Sequence, residues 1–297
     1  MDQPDTPATA DKLVEGFLGE RIRNLEKILD TDCLSYVGPI VFGTDDTIRD
    51  ALERIDGRRS GLTFILETTG GYAEVTRRIS DACRHHYNSV NFIIPNHAMS
   101  AGTILAMSGD SIMMDYYSVL GPIDPQVQGR EGRLVPALGY LMRYQDLLDK
   151  ADSGNITTAE MNILMSFDQG ELYAYEQARD LSVSLLEEWL VSYKFKNWKR
   201  TRTNDEVVTP KMKRERARDI AMKLNDVKRW NSHGIGINIK ILRDELNLVI
   251  DDIDDYPEIR TEIREYHKIL LDYMNKMSQN AVIHTRLGYW SLAEGRR

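Results

Sequence analysis

Two short stretches of this 297-residue chain carry the residue types that acyl-transfer chemistry needs. The first is Thr68-Thr69-Gly70-Gly71. Paired glycines let a backbone turn sharply and leave N–H groups facing open space. Donors so placed already point at the charge that develops on a carbonyl oxygen. A Gly-Gly pair also ends strands as a plain tight turn. The second stretch is Ala98-Met99-Ser100-Ala101-Gly102-Thr103. Small neighbours let a serine stand on a sharp turn, and a helix that follows adds positive potential. Standing alone, Ser100 reads as a helix N-cap. Taken together, the two turns offer a nucleophile and two converging amide donors, the minimum for acyl transfer.

The elements around these turns explain why they should meet. Leu34–Ile40, Leu62–Glu67, Val90–Pro95 and Ser111–Tyr117 are short strand-like runs, separated by helical stretches at Thr47–Ile55, Ala73–Tyr87 and Ala101–Met107. Strand and helix alternating in units this short predict βαβ crossovers and a mainly parallel sheet. Ligands bind such sheets at the carboxyl ends of the strands, where both turns lie. Upstream, Leu13, Phe17, Ile22, Leu25 and Ile28/Leu29 predict a helix over Lys12–Leu29, packed on its own domain or on a sister subunit. A membrane-surface role suits it less, because its polar face carries both signs of charge.

After residue 136 the strands stop, and helical periodicity runs through Ala137–Lys150, Thr158–Phe167, Glu171–Val191 and Lys211–Leu224. Thr158-Ala-Glu160 and Thr209-Pro210 read as helix starts. A helix-strand pattern through Leu248–Ile250 and a last helix from Pro257 to Met277 follow. The resulting division is a leader and N-terminal helix (1–32), a catalytic core (33–136), and a mostly helical extension (137–297) that completes the site and the oligomer contacts.

Composition narrows the class. With 42% hydrophobic and 28% charged residues the chain is an ordinary globular protein, and its net charge of −8 argues against a general nucleic-acid binder. Lys194–Arg229 holds 13 basic and 5 acidic residues, but Ala217, Ile220, Ala221 and Leu224 give its second half a buried face, so a solvated helix is expected there. The segment 196–206 before it reads as a mobile loop. Cys33 and Cys83 form neither a CxxC pair nor a metal-type spacing, which favours a reducing compartment. The polar, acidic start is not that of a signal peptide, and no apolar run reaches the ~18 residues of a membrane span. A cytoplasmic location is expected. No HExxH or GxxxxGK[ST] occurs, and His85-His86 on a helix is a poor metal pair, so neither metal nor cofactor is expected. His97 is expected to point away from Ser100.

The stretches Glu67-Thr68-Thr69-Gly70-Gly71, Ala98-Met99-Ser100-Ala101-Gly102-Thr103 and the run from Ser108 to Gln126 resemble the serine dehydrogenase proteinase family, a relative of signal peptide peptidase A. The segments beginning Arg229-Trp230 and Leu242-Arg243 are similar to its C-terminal part. The resemblance spans residues ~35–250 and implies an α/β fold of the Clp-protease/crotonase type, a βαβ spiral core with a helical C-terminal region. It also implies peptide-bond hydrolysis, a peptide or protein substrate and a homo-oligomer. Ser100 is then the nucleophile, and the N–H groups at the Gly70-Gly71 turn, Gly71 above all, form the oxyanion hole with that of Ala101.

The general base stays open. Clp proteases place a histidine on the strand after the serine, but Ser118–Pro125 has none, and Asp124 there reads as a turn residue. Signal peptide peptidases use a downstream lysine, and the stretch around Lys150 through Glu160 is similar to theirs. A lysine acts as base only where burial or a nearby cation lowers its pKa. Asp149 and Asp152 flank Lys150 and would raise it, so a solvated helix-end lysine is the competing reading. His233 is the rival base. Two other functions fit the same scaffold: a crotonase-like acyl-CoA enzyme, which needs no serine nucleophile, and a non-catalytic adaptor that has lost its base. A gating or ATPase partner is compatible with all of this.

Overall fold

The computed structural model describes residues 9–123, 126–128, 134–201, 203–230 and 235–292. The first half runs α1 (Ala10–Leu29), β1 (Asp32–Val37), α2 (Thr44–Glu53), β2 (Gly61–Glu67), α3 (Ala73–His86), β3 (Ser89–Ile94), β4 (His97–Ala98), α4 (Ala101–Met107) and β5 (Ser111–Met114). Strands β5, β3, β2 and β1 lie side by side, all parallel. Every residue of β1 and β2 is buried, as a parallel sheet covered on both faces requires. The period of two assigns the faces. Leu34, Tyr36, Phe64, Leu66, Phe92 and Ile94 enter the core shared with α2, α3 and α4, while Cys33, Ile65 and Ile93 enter a second core with α1.

α1 begins at a cap in which Thr9 Oγ1 accepts the Lys12 N–H at 3.3 Å. Its large apolar residues Leu18, Ile22 and Leu25 are buried, whereas Leu13 stays 64% exposed. The helix rests on its own chain. Its neighbour is a C-terminal helix, Pro257–Lys276, whose Glu262 accepts from Arg21 at 3.0 Å.

Beyond β5 come β6 (Val119–Leu120), β7 (Gln126–Gln128), β8 (Leu134–Pro136), α5 (Ala137–Asp152), α6 (Thr158–Met165) and α7 (Gln169–Trp189). A π-helical turn, Leu190–Lys194, continues α7. Then follow α8 (Pro210–Leu224), α9 (Val227–Trp230), β9 (Ile237–Asn238), α10 (Ile239–Asp244), β10 (Asp251–Asp252), α11 (Pro257–Lys276), β11 (Val282–Thr285) and β12 (Gly288–Ser291). α6 starts at Thr158 as expected, with Thr157 as its N-cap and Glu160 completing a capping box. Thr209 caps α8, and Ala217, Ile220, Ala221 and Leu224 are buried as their spacing predicts.

One expectation changes. Strands do not cease at residue 136. β10 extends the main sheet beside β5, β11 pairs antiparallel with β1, and β12 forms the far edge, giving the order β10-β5-β3-β2-β1-β11-β12. These strands span two to four residues, too few for a period to register in the sequence. In the stretch expected to be a loop, Arg200 bridges Val207 and pairs with Asp205 at 2.9 Å. Among the described residues, no helix is long and apolar enough to cross a membrane.

Candidate active site

The site is built where β2 and β4 end. Ala98 bridges Thr68 in parallel, and the backbone seals the contact: Thr68 donates to His97 O at 3.0 Å, and Met99 donates to Thr68 O at 2.9 Å. The chain then turns abruptly into α4 at Ser100, whose φ of 49° and ψ of −115° lie in a region that non-glycine residues seldom adopt. Holding a residue there costs on the order of 1–3 kcal/mol. α4 stabilises the turn, since Thr103 and Ile104 both donate to Ser100 O, at 2.9 and 3.2 Å. The geometry is that of a strand-to-helix elbow with the serine at its point and the helix N-terminus behind it. Ser100 is 1% exposed.

Gly70 and Gly71 meet this elbow. Gly70, at φ +101°, presses so closely that a Cβ there would stand 2.8 Å from Ser100 Cβ and 3.4 Å from the Ala101 nitrogen. Gly71, at φ +150°, leaves no space either, because a Cβ would fall 1.9 Å from Ile40 O. Both positions need glycine for conformation and for room. Their amides have different fates. The Gly70 N–H donates to Thr68 Oγ1 at 3.0 Å. Among the described residues neither the Gly71 nor the Ala101 N–H has an acceptor. Ile40 lines the other side, donating to Gly70 O at 2.8 Å and accepting from Tyr72 at 2.9 Å.

Two polar clusters brace the turns. The buried Thr103 hydroxyl lies 2.8 Å from Ala98 O and 2.9 Å from both Gly121 O and Gly121 N. A hydroxyl has one proton, so it donates to one carbonyl and accepts from the amide. On the sheet's other face, Glu67 receives Asn96 Nδ2 at 3.2 Å and His267 Nε2 at 2.5 Å, with His97 Nδ1 at 3.8 Å. Burial raises the Glu67 pKa, but the His267 bond, with the charges of His267 and His97 and the Asn96 amide, outweighs burial and lowers it. Sequence reading assigned Glu67 no role. Its chief partner lies 200 residues away, and no local pattern could reveal that.

Lys150, on the last turn of α5, forms an ion pair with Glu160, and that pair together with the Thr157 cap lowers the Glu160 pKa to about 2. The lysine side chain is 44% exposed. His233 and Asp124 lie outside the described residues. Lys194, which sequence reading passed over, sits half-buried on the π-helical turn. Burial lowers its amine to about 8 against the opposing pull of Asp251 and Asp110. His85 and His86 stand edge to face at 4.8 Å, and no metal-holding cluster occurs among the described residues.

Elbow, glycine turn and mainly parallel sheet define an α/β fold of the Clp-protease type, with a helical C-terminal region around the core. The chain belongs to the ClpP-like SDH-type serine proteinases, whose family model matches residues 46–197. Two uncharacterised proteins of Methanocaldococcus jannaschii are similar to it. One is 32% identical over 162 residues (50% of this chain, 55% of the relative), the other 30% identical over 139 (45% and 46%). The chain thus spans about half the length of the curated relatives it matches. Among solved structures, a mutant of the 1510-N membrane-bound stomatin-specific protease overlaps 77% of this chain and 81% of its own at a TM-score of 0.44 and 11% identity. ClpP1 from Listeria monocytogenes overlaps 50% of this chain and 90% of its own, with a TM-score of 0.29 and 16% identity.

Proposed function

We propose that this chain is a serine peptidase that hydrolyses peptide bonds through an acyl-enzyme on Ser100. The observation that carries the reading is the strained Ser100 elbow, at φ 49° and ψ −115°, pressed against a glycine turn whose Gly71 amide has no acceptor among the described residues. Ser100 Oγ attacks the scissile carbonyl carbon, forming a C–O bond while its proton passes to a base. The Gly71 and Ala101 N–H groups take the oxyanion. The C–N bond then breaks, and the amine leaves with that proton. Water repeats the attack and releases the acid. Gly70 serves by its shape, because Thr68 already holds its amide.

The base in this reading is Lys150, a Ser-Lys dyad. The amine is a base only when neutral, so the Lys150–Glu160 pair must first open. That pair favours a second reading, a scaffold on the same fold without hydrolysis. The burial of Ser100 supports a gated site, opened by assembly into a closed homo-oligomer or by a partner. Two buried free thiols, Cys33 and Cys83, suit a cytoplasmic location.

The test is covalent labelling with a small fluorophosphonate, read by intact mass beside Ser100→Ala. One adduct on the wild type and none on the variant is the expected result. Absence of any adduct, in the oligomer as well, overturns the hydrolase and leaves the scaffold.

A further inference from the structure

The rim of the glycine turn carries an apolar surface that catalysis at Ser100 does not use. Phe42 is 68% exposed and Val41 38% exposed, and the Phe42 ring stands 4.8 Å from that of Tyr72 at an angle of 37°. Tyr72 directly follows Gly71, and Phe42 lies two residues beyond Ile40, the residue bonded to both Gly70 and Tyr72. The aromatic pair therefore flanks the turn that offers its amide to the reacting carbonyl.

The pair is also held in place. Thr44 N donates to Val41 O at 3.0 Å, closing a four-residue turn with Phe42 near its tip. Tyr36 Oη donates to Pro39 O, fixing the entry to that turn, and Gly43 N donates to Asp45 Oδ1 at 3.2 Å, fixing the exit. Tyr72 is half-buried and packs on the main core. Of the charges on the following helix, Asp45 pairs with Arg78 at 2.8 Å and Asp46 with Arg49 at 3.1 Å. An aromatic pair held in place with one ring open to solvent is a preorganised contact for an apolar group.

We infer that Phe42 and Tyr72 form a specificity platform that receives a large aromatic or aliphatic side chain of the substrate next to the scissile bond. The inference rests on the peptidase reading and adds a substrate preference to it. A hydrophobic contact of this size discriminates by about tenfold or more.

The test uses quenched fluorescent peptides that differ only at the two residues flanking the cut, bearing Phe, Leu, Lys or Glu. kcat/KM is referred to the fraction of protein that labels at Ser100, so misfolded material does not count. Wild type should favour Phe and Leu over Glu and Lys. Phe42→Ala should reduce that ratio about tenfold or more, and Phe42→Glu should shift it toward Lys. Tyr117→Ala, which removes an equally exposed aromatic elsewhere on the surface, should keep the wild-type ratio. A labelled wild type with no preference, or a Phe42→Ala profile like the wild type's, overturns the platform alone. A Phe42→Ala variant that falls from oligomer to monomer assigns the surface to a second copy and also overturns it. Neither label nor cleavage in the wild type removes the peptidase reading, and the platform with it.

Discussion

At the scale of single residues, the site depends on two missing side chains as much as on the serine. A methyl at Gly71 would fall 1.9 Å from a backbone oxygen, which cannot yield as a flexible side chain can. A methyl at Gly70 would meet Ser100 Cβ at 2.8 Å and Met99 O at 2.8 Å. Gly70→Ala should therefore displace the elbow itself, lowering the rate of Ser100 labelling by about 100-fold or more. Gly71→Ala should do the same and also destabilise the fold by roughly 1–3 kcal/mol, measurable by urea denaturation. Thr69→Ala, at an exposed position in the same turn, should stay within ~0.5 kcal/mol of wild type. Equal behaviour of all three variants would mean that the close approach has no consequence.

Between elements, the Ser100 elbow and the glycine turn are held by hydroxyl and carboxylate contacts rather than by ladder length. β4 has two residues and α4 seven, so neither can fix the elbow alone. Thr103→Val keeps the shape of the side chain but removes the hydroxyl that ties α4 to the Ala98 and Gly121 backbone, leaving the Gly121 amide only its 3.2 Å bond to Ala98 O. The expected cost is about 1 kcal/mol, seen as a lower denaturation midpoint with an unchanged slope. Glu67→Gln should weaken the tie between β2 and α11 while leaving volume unaltered. Its depressed pKa stabilises the fold above the ordinary glutamate value and stops doing so as pH falls through the folded value. The Gln variant should therefore differ most from wild type at neutral pH and converge on it as pH falls through the folded value. A constant offset across that range would place the role of Glu67 in packing.

For the whole molecule, acid lability should come from His284. It is buried on β11, its Nδ1 lies 2.9 Å from Tyr266 Oη, and burial with the nearby Arg23 charge lowers its pKa to about 3. The unfolded chain takes up a proton near pH 6.5, while the folded chain resists until far lower pH. Stability is fully present above that value and falls as pH drops below it, by up to ~1.4 kcal/mol per pH unit. Denaturation from pH 7 to 5 should show this slope, and His284→Gln should flatten it. Removing residues 280–292 strips β11 and β12 from the sheet and bares the edge of β1, so the shortened chain should aggregate rather than fold.

The sequence by itself determined what local chemistry can specify. Gly70-Gly71 and the small residues around Ser100 announce two tight turns, and the apolar runs before them announce buried strands. Alternation of short strands and helices was enough for a parallel sheet, and a parallel sheet brings consecutive strand ends together. Tertiary structure decided the rest. It gave the Gly70 amide to Thr68 and left those of Gly71 and Ala101 without an acceptor among the described residues. It drew the sheet's outer strands from residues 251–291, whose two- to four-residue runs carry no readable period. It set His267 on Glu67 across 200 residues, and it paired Lys150 with Glu160. Turn geometry is written in the residues that make the turn, whereas a long-range contact depends on where two distant segments of the chain finally meet.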